Sequence, residues 1–240
     1  MNLNESVALV TGANRGLGAR LVQELLRAGA AKVYAASRTP GEVAADVTAD
    51  PRVVTLTLDI TDPDSAQRAA RAAQDVTVLV NNAGVLAFGS ALDGDLDAFE
   101  RDLRTNYLGT LRVTRAFVPV LERNAPAAVV NVLTLIALAP VAPMAGYSAS
   151  KAAAHSATQA LRAELRGRGI AVLGAYPGGI DTDMLAGIDA EKAPPQVVAR
   201  RIIAALAAGE TVVFPDDASA AAGAVYRQDP LMLEQLLLPS

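Results

Sequence analysis

Tyr147 and Lys151 stand four residues apart in the run Tyr147-Ser148-Ala149-Ser150-Lys151. On a helix that spacing sets a phenol and an ammonium on one face, a turn apart. A phenol ordinarily ionises near pH ~10, so proton exchange near neutrality benefits from a cation that stabilises the phenolate. Lys151 is the candidate cation, and the chemistry it permits is general acid–base catalysis at Tyr147. So short a pattern also describes many surface pairs, and its meaning depends on what the chain places beside it. His155, the single histidine, lies one turn past Lys151 without a cysteine or carboxylate neighbour. It reads as an ordinary helix residue, and no metal site is expected.

A second group of residues is suited to holding an anion. Val7-Ala8-Leu9-Val10 is apolar and uncharged, as a central parallel strand covered on both faces should be. It breaks into Thr11-Gly12-Ala13-Asn14-Arg15-Gly16-Leu17-Gly18, after which Leu21, Val22, Leu25 and Leu26 recur at helical spacing. Gly12, Gly16 and Gly18 therefore lie between a strand end and a helix N-terminus. There, free N–H groups and the positive helix end attract pyrophosphate, and missing Cβ atoms let it approach. Asn14 and Leu17 belong to the same turn.

The second strand, Lys32 to Ala36, ends at Ser37-Arg38. An NAD site usually carries an acid here for the ribose 2′-hydroxyl, and Ser37 stands in its place. Arg15 and Arg38, on the two loops flanking this pocket, can clamp a 2′-phosphate by charge-assisted hydrogen bonds. The expected cofactor is NADP(H); the bland alternative is two solvated arginines.

Further strands supply further loops. Val53 to Leu58 ends at Asp59, which either bonds adenine or caps the helix that begins near Asp62. Val76 to Val80 runs into Asn81-Asn82-Ala83-Gly84, whose small residues admit a nicotinamide ribose and whose amides can tie strand ends together. Asp95 to Arg123 is expected to be helical, with Leu96, Phe99, Leu103, Tyr107, Leu111 and Thr114 on one face. Ala128 to Leu133 and Ala171 to Ala175 read as the fifth and sixth strands. The sixth leads into Pro177-Gly178-Gly179-Ile180-Asp181-Thr182, where backbone groups around Ile180 and the Thr182 hydroxyl can orient a carboxamide. Thr211 to Phe214 is a seventh strand.

This alternation implies an α/β fold, a doubly wound parallel sheet of about seven strands in the order 3-2-1-4-5-6-7. The expectation is one dinucleotide-binding and catalytic domain over residues 1–240, with 215–240 as a C-terminal tail. Leu233 to Leu238 of that tail can cover a pocket or subunit edge. Leu86, Phe88, Leu135, Leu138, Met144 and Met184 are candidate walls for a mostly apolar substrate.

Composition narrows the partners. A net charge of −4 with both signs scattered offers no basic face to nucleic acid and no polybasic membrane patch. With no cysteine there is no disulfide, thiol nucleophile or thiolate metal site. Arg123 to Lys151 encloses a long uncharged interval, but Asn131, Pro140, Pro143 and Gly146 interrupt it, so a membrane span is not expected. The polar start, Met1 to Glu5, and the brevity of the apolar run after it favour a cytoplasmic protein.

The glycine turn, Asn81 to Gly84, Tyr147 with Lys151, and Pro177 to Thr182 occur in this order along the chain. Together they resemble the short-chain dehydrogenase/reductase family, and the resemblance spans nearly the whole chain. It implies that Asn81 to Gly84 supports the sheet and lines the cofactor. It implies that Asn106, in Asn106-Tyr107-Leu108-Gly109, belongs to a region holding a water between the lysine and solvent. It places the catalytic hydroxyl at Thr134, thirteen residues before Tyr147, where the family usually has serine. Threonine keeps the hydroxyl but adds a methyl and stiffens χ1. The catalytic set implied is Asn106, Thr134, Tyr147 and Lys151, acting on a carbonyl or alcohol with NADP(H) in a homodimer or homotetramer. Two other readings are an imine reductase of the same family, which demands less of that hydroxyl, and an NADP(H)-binding regulatory protein with little catalysis.

Overall fold

The computed structural model describes residues 1–237. Seven strands form one parallel sheet in the order β3-β2-β1-β4-β5-β6-β7, the order expected. They are β1 (Val7–Thr11), β2 (Lys32–Ser37), β3 (Val53–Thr57), β4 (Val78–Asn81), β5 (Ala127–Val132), β6 (Ile170–Ala175) and β7 (Val212–Val213). The helices are α1 (Gly16–Arg27), α2 (Ala45–Thr48), α3 (Pro63–Ala72), α4 (Leu96–Asp102), α5 (Thr110–Arg123), α6 (Ala145–Leu165), α7 (Pro195–Ala208), α8 (Asp217–Gln228) and α9 (Pro230–Leu237). Among the described residues, no helix is long and apolar enough to cross a membrane.

The core lies on both faces of the central strands, because β-branched runs such as Val78-Leu79-Val80 leave no polar side for water. On one face α1 and α7 bury Leu21, Val22, Leu25 and Ile202 against Val10, Val80 and Val130. On the other, α3, α5 and α6 bury Ala69, Phe117 and Leu165 against Leu9, Leu79 and Val129. The edge strand β3 is different: Val54 is exposed, since α2 spans a single turn and covers little of it.

The stretch from Asp95 to Arg123 is helical but not in the phase expected. Of the residues expected to share a face, Leu96 and Leu103 are exposed, at 75% and 39%, whereas Thr114 is fully buried and Leu111 packs on the core. The face turned inward instead carries Ala98, Asp102, Asn106, Gly109, Val113 and Phe117. Between α4 and α5 the chain widens into a π turn over Leu103–Gly109, a feature common at functional sites. Two of the inward positions are polar because they serve the site, so the largest apolar residues marked the wrong side.

Candidate active site

The ends of the strands, rather than their middles, gather the functional residues. Between β1 and β4 the sheet order reverses, and ligands of open α/β sheets bind at the carboxyl ends beside such a reversal. A cleft of about 1500 Å³ opens there. Its walls include Gly12, Asn14, Arg15, Gly16, Leu17 and Gly18 from the glycine turn, and Ser37, Arg38 and Asp59 from the ends of β2 and β3. Ala83, Gly84, Thr134, Tyr147 and Lys151 line it, as do Pro177, Gly178, Ile180 and Thr182.

The turn can be made only by this backbone. Gly12 has φ of +66°, and a Cβ on Gly18 would sit 2.1 Å from the Gly12 carbonyl oxygen. Thr11 and Asn82 hold the turn. Thr11 Oγ1 accepts the N–H groups of Asn82 and Ala83, both at 3.0 Å, and Asn82 Nδ2 donates to the Thr11 carbonyl at 2.9 Å.

Asn81, expected on the cofactor wall, lies beneath it. Buried at the end of β4, it donates from Nδ2 to Asn131 Oδ1 at 2.8 Å and to Thr114 Oγ1 at 3.0 Å, and Asn131 donates onward to Thr158. This polar chain ties β4 and β5 to α5 and α6. The amide that reaches the glycine turn belongs to Asn82, one residue on, because successive side chains in an extended chain point to opposite faces.

Asp59 does not cap α3. Asp62 performs that task, accepting from Asp64 N–H, while Asp59 Oδ1 accepts from the Thr61 N–H and hydroxyl. Arg15 and Arg38 share the cleft without sharing a partner. Arg15 Nη1 lies 3.0 Å from Asp183 Oδ2, with both side chains 73% exposed. Such a surface pair is worth roughly 0–1 kcal/mol, so a phosphate can displace the carboxylate at little cost. Arg38 forms no ion pair among the described residues. Beside it, the buried Ser37 hydroxyl has no hydrogen-bond partner there.

The chemical pair is buried. Tyr147 is 8% and Lys151 6% exposed, and Lys151 Nζ lies 5.9 Å from the Tyr147 ring centre. Lys151 Nζ donates to the Val132 carbonyl at 2.9 Å. Burial pushes the Tyr147 phenol well above its ordinary value, and the Asp102 carboxylate adds to that. Burial also lowers Lys151 to about 8, against an opposing pull from Asp102. Thr134, just past β5, directs its hydroxyl to the Pro177 carbonyl at 3.3 Å.

Asn106 stands behind the cleft rather than on its wall. Its Oδ1 accepts the Val85 N–H, and its Nδ2 donates to the Val85 carbonyl and to Ser150 Oγ, all at 2.9 Å. Its backbone carbonyl accepts from the Thr110 hydroxyl at 2.8 Å. It therefore positions the Val85 wall against α6. Asp216 does the same for the loop after β6, accepting the Gly178 N–H at 2.9 Å while capping α8. That cap was visible as the spacing Asp216-x-x-Ser219.

Of the apolar residues assigned to a substrate wall, Leu86, Leu135, Met144 and Met184 line the cleft. Leu138 packs away from it with Phe214, and Phe88 is half exposed outside it. The tail reaches the cleft edge: Leu237 lines it, and the fully buried Leu233 packs with Leu135 and Ala139. Leu238 lies outside the described residues. His155 Nδ1 is 2.7 Å from the Tyr176 hydroxyl.

The family model described as short chain dehydrogenase matches residues 6–193. The chain is 37% identical over 204 residues to 1-deoxy-11-beta-hydroxypentalenate dehydrogenase of Streptomyces exfoliatus, covering 80% of this chain and 74% of that one. It is similar throughout to a short chain dehydrogenase from Burkholderia cenocepacia J2315 in complex with NADP, with TM-score 0.93, 37% identity and 100% of both chains covered. It also resembles 3-ketoacyl-(acyl-carrier-protein) reductase from Brucella melitensis complexed with NADH, with TM-score 0.79, 26% identity, and 88% and 96% of the two chains covered.

Proposed function

From its membership of the short-chain dehydrogenase/reductase family, we infer that this chain is an NADP(H)-dependent oxidoreductase whose Tyr147 exchanges a proton with a carbonyl/alcohol pair on a mostly apolar small molecule. The observation that carries this reading is the burial of Tyr147 and Lys151 in the cleft that the glycine turn opens. Nicotinamide, when bound, supplies or accepts the hydride.

The chain's own residues fit such a group. The glycine turn offers backbone N–H groups at a helix start, and the Cβ-free approach at Gly18 is sterically required. Arg38, the Ser37 hydroxyl, without a partner among the described residues, and the exposed Arg15 are suited to a 2′-phosphate. The Pro177–Thr182 loop, held through Gly178 by Asp216, is suited to the carboxamide. In reduction, Tyr147 gives its hydroxyl proton to the carbonyl oxygen while the Lys151 ammonium stabilises the phenolate left behind. Thr134 polarises the same oxygen. The relative bound to NADP supports the choice of cofactor.

Tyr147→Phe tests the assignment. It should keep NADPH binding, followed by fluorescence, and lose at least about 100-fold in turnover, the usual worth of a positioned general acid. Unchanged turnover of a reactive ketone would reject Tyr147 as the acid. One observation favours imine reduction as a second reading: the Thr134 hydroxyl points at the Pro177 carbonyl rather than standing free. An NADPH-consumption screen over ketones, aldehydes and imines separates the two.

A further inference from the structure

One ionisable side chain in the interior has no part in this chemistry. Asp102 ends α4, one turn ahead of Asn106, and is completely buried. Its Oδ2 accepts the Ala87 N–H at 3.0 Å, and its Oδ1 has no partner among the described residues. Asp102 and Asn106 therefore grip the Val85–Ala87 segment from one helix, through Ala87 N–H and through both backbone groups of Val85. A neutral side chain would make the same contact with Ala87. A buried carboxyl with one unsatisfied oxygen is costly, which sets Asp102 apart from a side chain that only holds Ala87.

The ionisable groups acting on Asp102 are Arg101 of its own helix and Tyr147 and Lys151 of α6. The Val85–Ala87 segment contributes no ionisable side chain. Burial pushes the Asp102 carboxyl up, while Arg101 and Lys151 favour its ionisation. Ionised, it opposes loss of the proton from both Lys151 and Tyr147.

We propose that Asp102 is a positioning residue of the active site, holding the Val85–Ala87 wall through Ala87 N–H and using its charge to keep the Tyr147–Lys151 pair loaded with protons. That is the form of the pair that reduces a carbonyl, so the inference rests on the reading of Tyr147 and Lys151 given above.

Lysine-selective ¹⁵N labelling tests it without any substrate, because the chain has only Lys32, Lys151 and Lys192. The Lys151 signal is assigned with Lys151→Arg and followed against pH. Asp102→Asn keeps an acceptor for Ala87 N–H and removes the charge. The Lys151 midpoint should fall by about half a unit or more, and Asp102→Glu should restore it. The alkaline limb of NADPH-dependent reduction should move to lower pH in the same variant. An identical Lys151 midpoint in wild type and Asp102→Asn overturns the proposal. Should that variant not fold, the wild-type signal decides: a second inflection on the acid side, where Asp102 takes up its proton, supports the charge, and a single inflection overturns it. Full turnover by Tyr147→Phe would instead defeat the functional reading while leaving this titration intact.

Discussion

Burial serves a proton-donating phenol badly unless something offsets it, and Tyr147 is buried with its ionisation strongly disfavoured. The offset is Lys151, which burial itself weakens, to about 8. In the free enzyme the lysine is therefore the first of the pair to lose its proton as pH rises. The kcat/KM of reduction should be level below that value and fall above it, a limb that a pH–rate profile measures directly. At the other end of the cleft, cofactor choice is also a matter of single side chains. Ser37→Asp with Arg38→Ala places a carboxylate where a 2′-phosphate would lie and removes a cation. The ratio of NADP(H) to NAD(H) efficiency should drop by at least about tenfold, roughly 1.4 kcal/mol of lost discrimination. An unchanged ratio would remove the clamp from the account.

Among the elements, the π turn between α4 and α5 does most to assemble the site. It carries Asn106 on the same inward face as Asp102, so that one helix holds the Val85–Ala87 wall at two points. Replacing Asn106 by Ala would leave the half-buried Val85 N–H and carbonyl without those partners. Each such bond is worth about 0.5–1.5 kcal/mol net, so the variant should lose at least about 1 kcal/mol in urea unfolding and lose turnover with it. Stability equal to wild type would mean that water takes over these bonds. The loop after β6 is held in a comparable way, with Asp216 joining Gly178 to the cap of α8.

At the scale of the molecule, the C-terminal segment belongs to the core as well as to the cleft edge. Leu233 is fully buried beside Leu135, Ala139 and Phe214, and Leu237 faces the cleft. Leu233→Ala should cost about 2–4 kcal/mol by leaving a cavity, and should raise the KM of an apolar substrate more than it lowers kcat. Steady-state kinetics with an unaltered KM would show that the tail supports the fold alone. Leu103 and Leu108 remain exposed on the α4–α5 stretch. The expected homodimer or homotetramer would cover them, and sedimentation velocity finding only monomer would contradict that expectation.

Much of this molecule could be read from residues near one another in the chain. The apolar runs and the turns that end them mark the central strands, because burial on both faces demands uninterrupted apolar stretches, while the half-exposed edge strands β3 and β7 show through their β-branched residues. Tyr147 with Lys151 and the glycine turn are local patterns, whose members a single helix or turn places by itself. Side chains whose partners lie far off in sequence were another matter. Asn81 finds Asn131 and Thr114 only when β5 and α5 pack beside β4, and Arg15 meets Asp183 only across the cleft. The phase of α4–α5 misled for the same reason: periodicity counts apolar residues, and here the packed face holds Asp102 and Asn106 because the neighbouring wall needs polar partners. A hydrogen bond between distant segments leaves no trace in local spacing, and the folding of the chain alone assigns it.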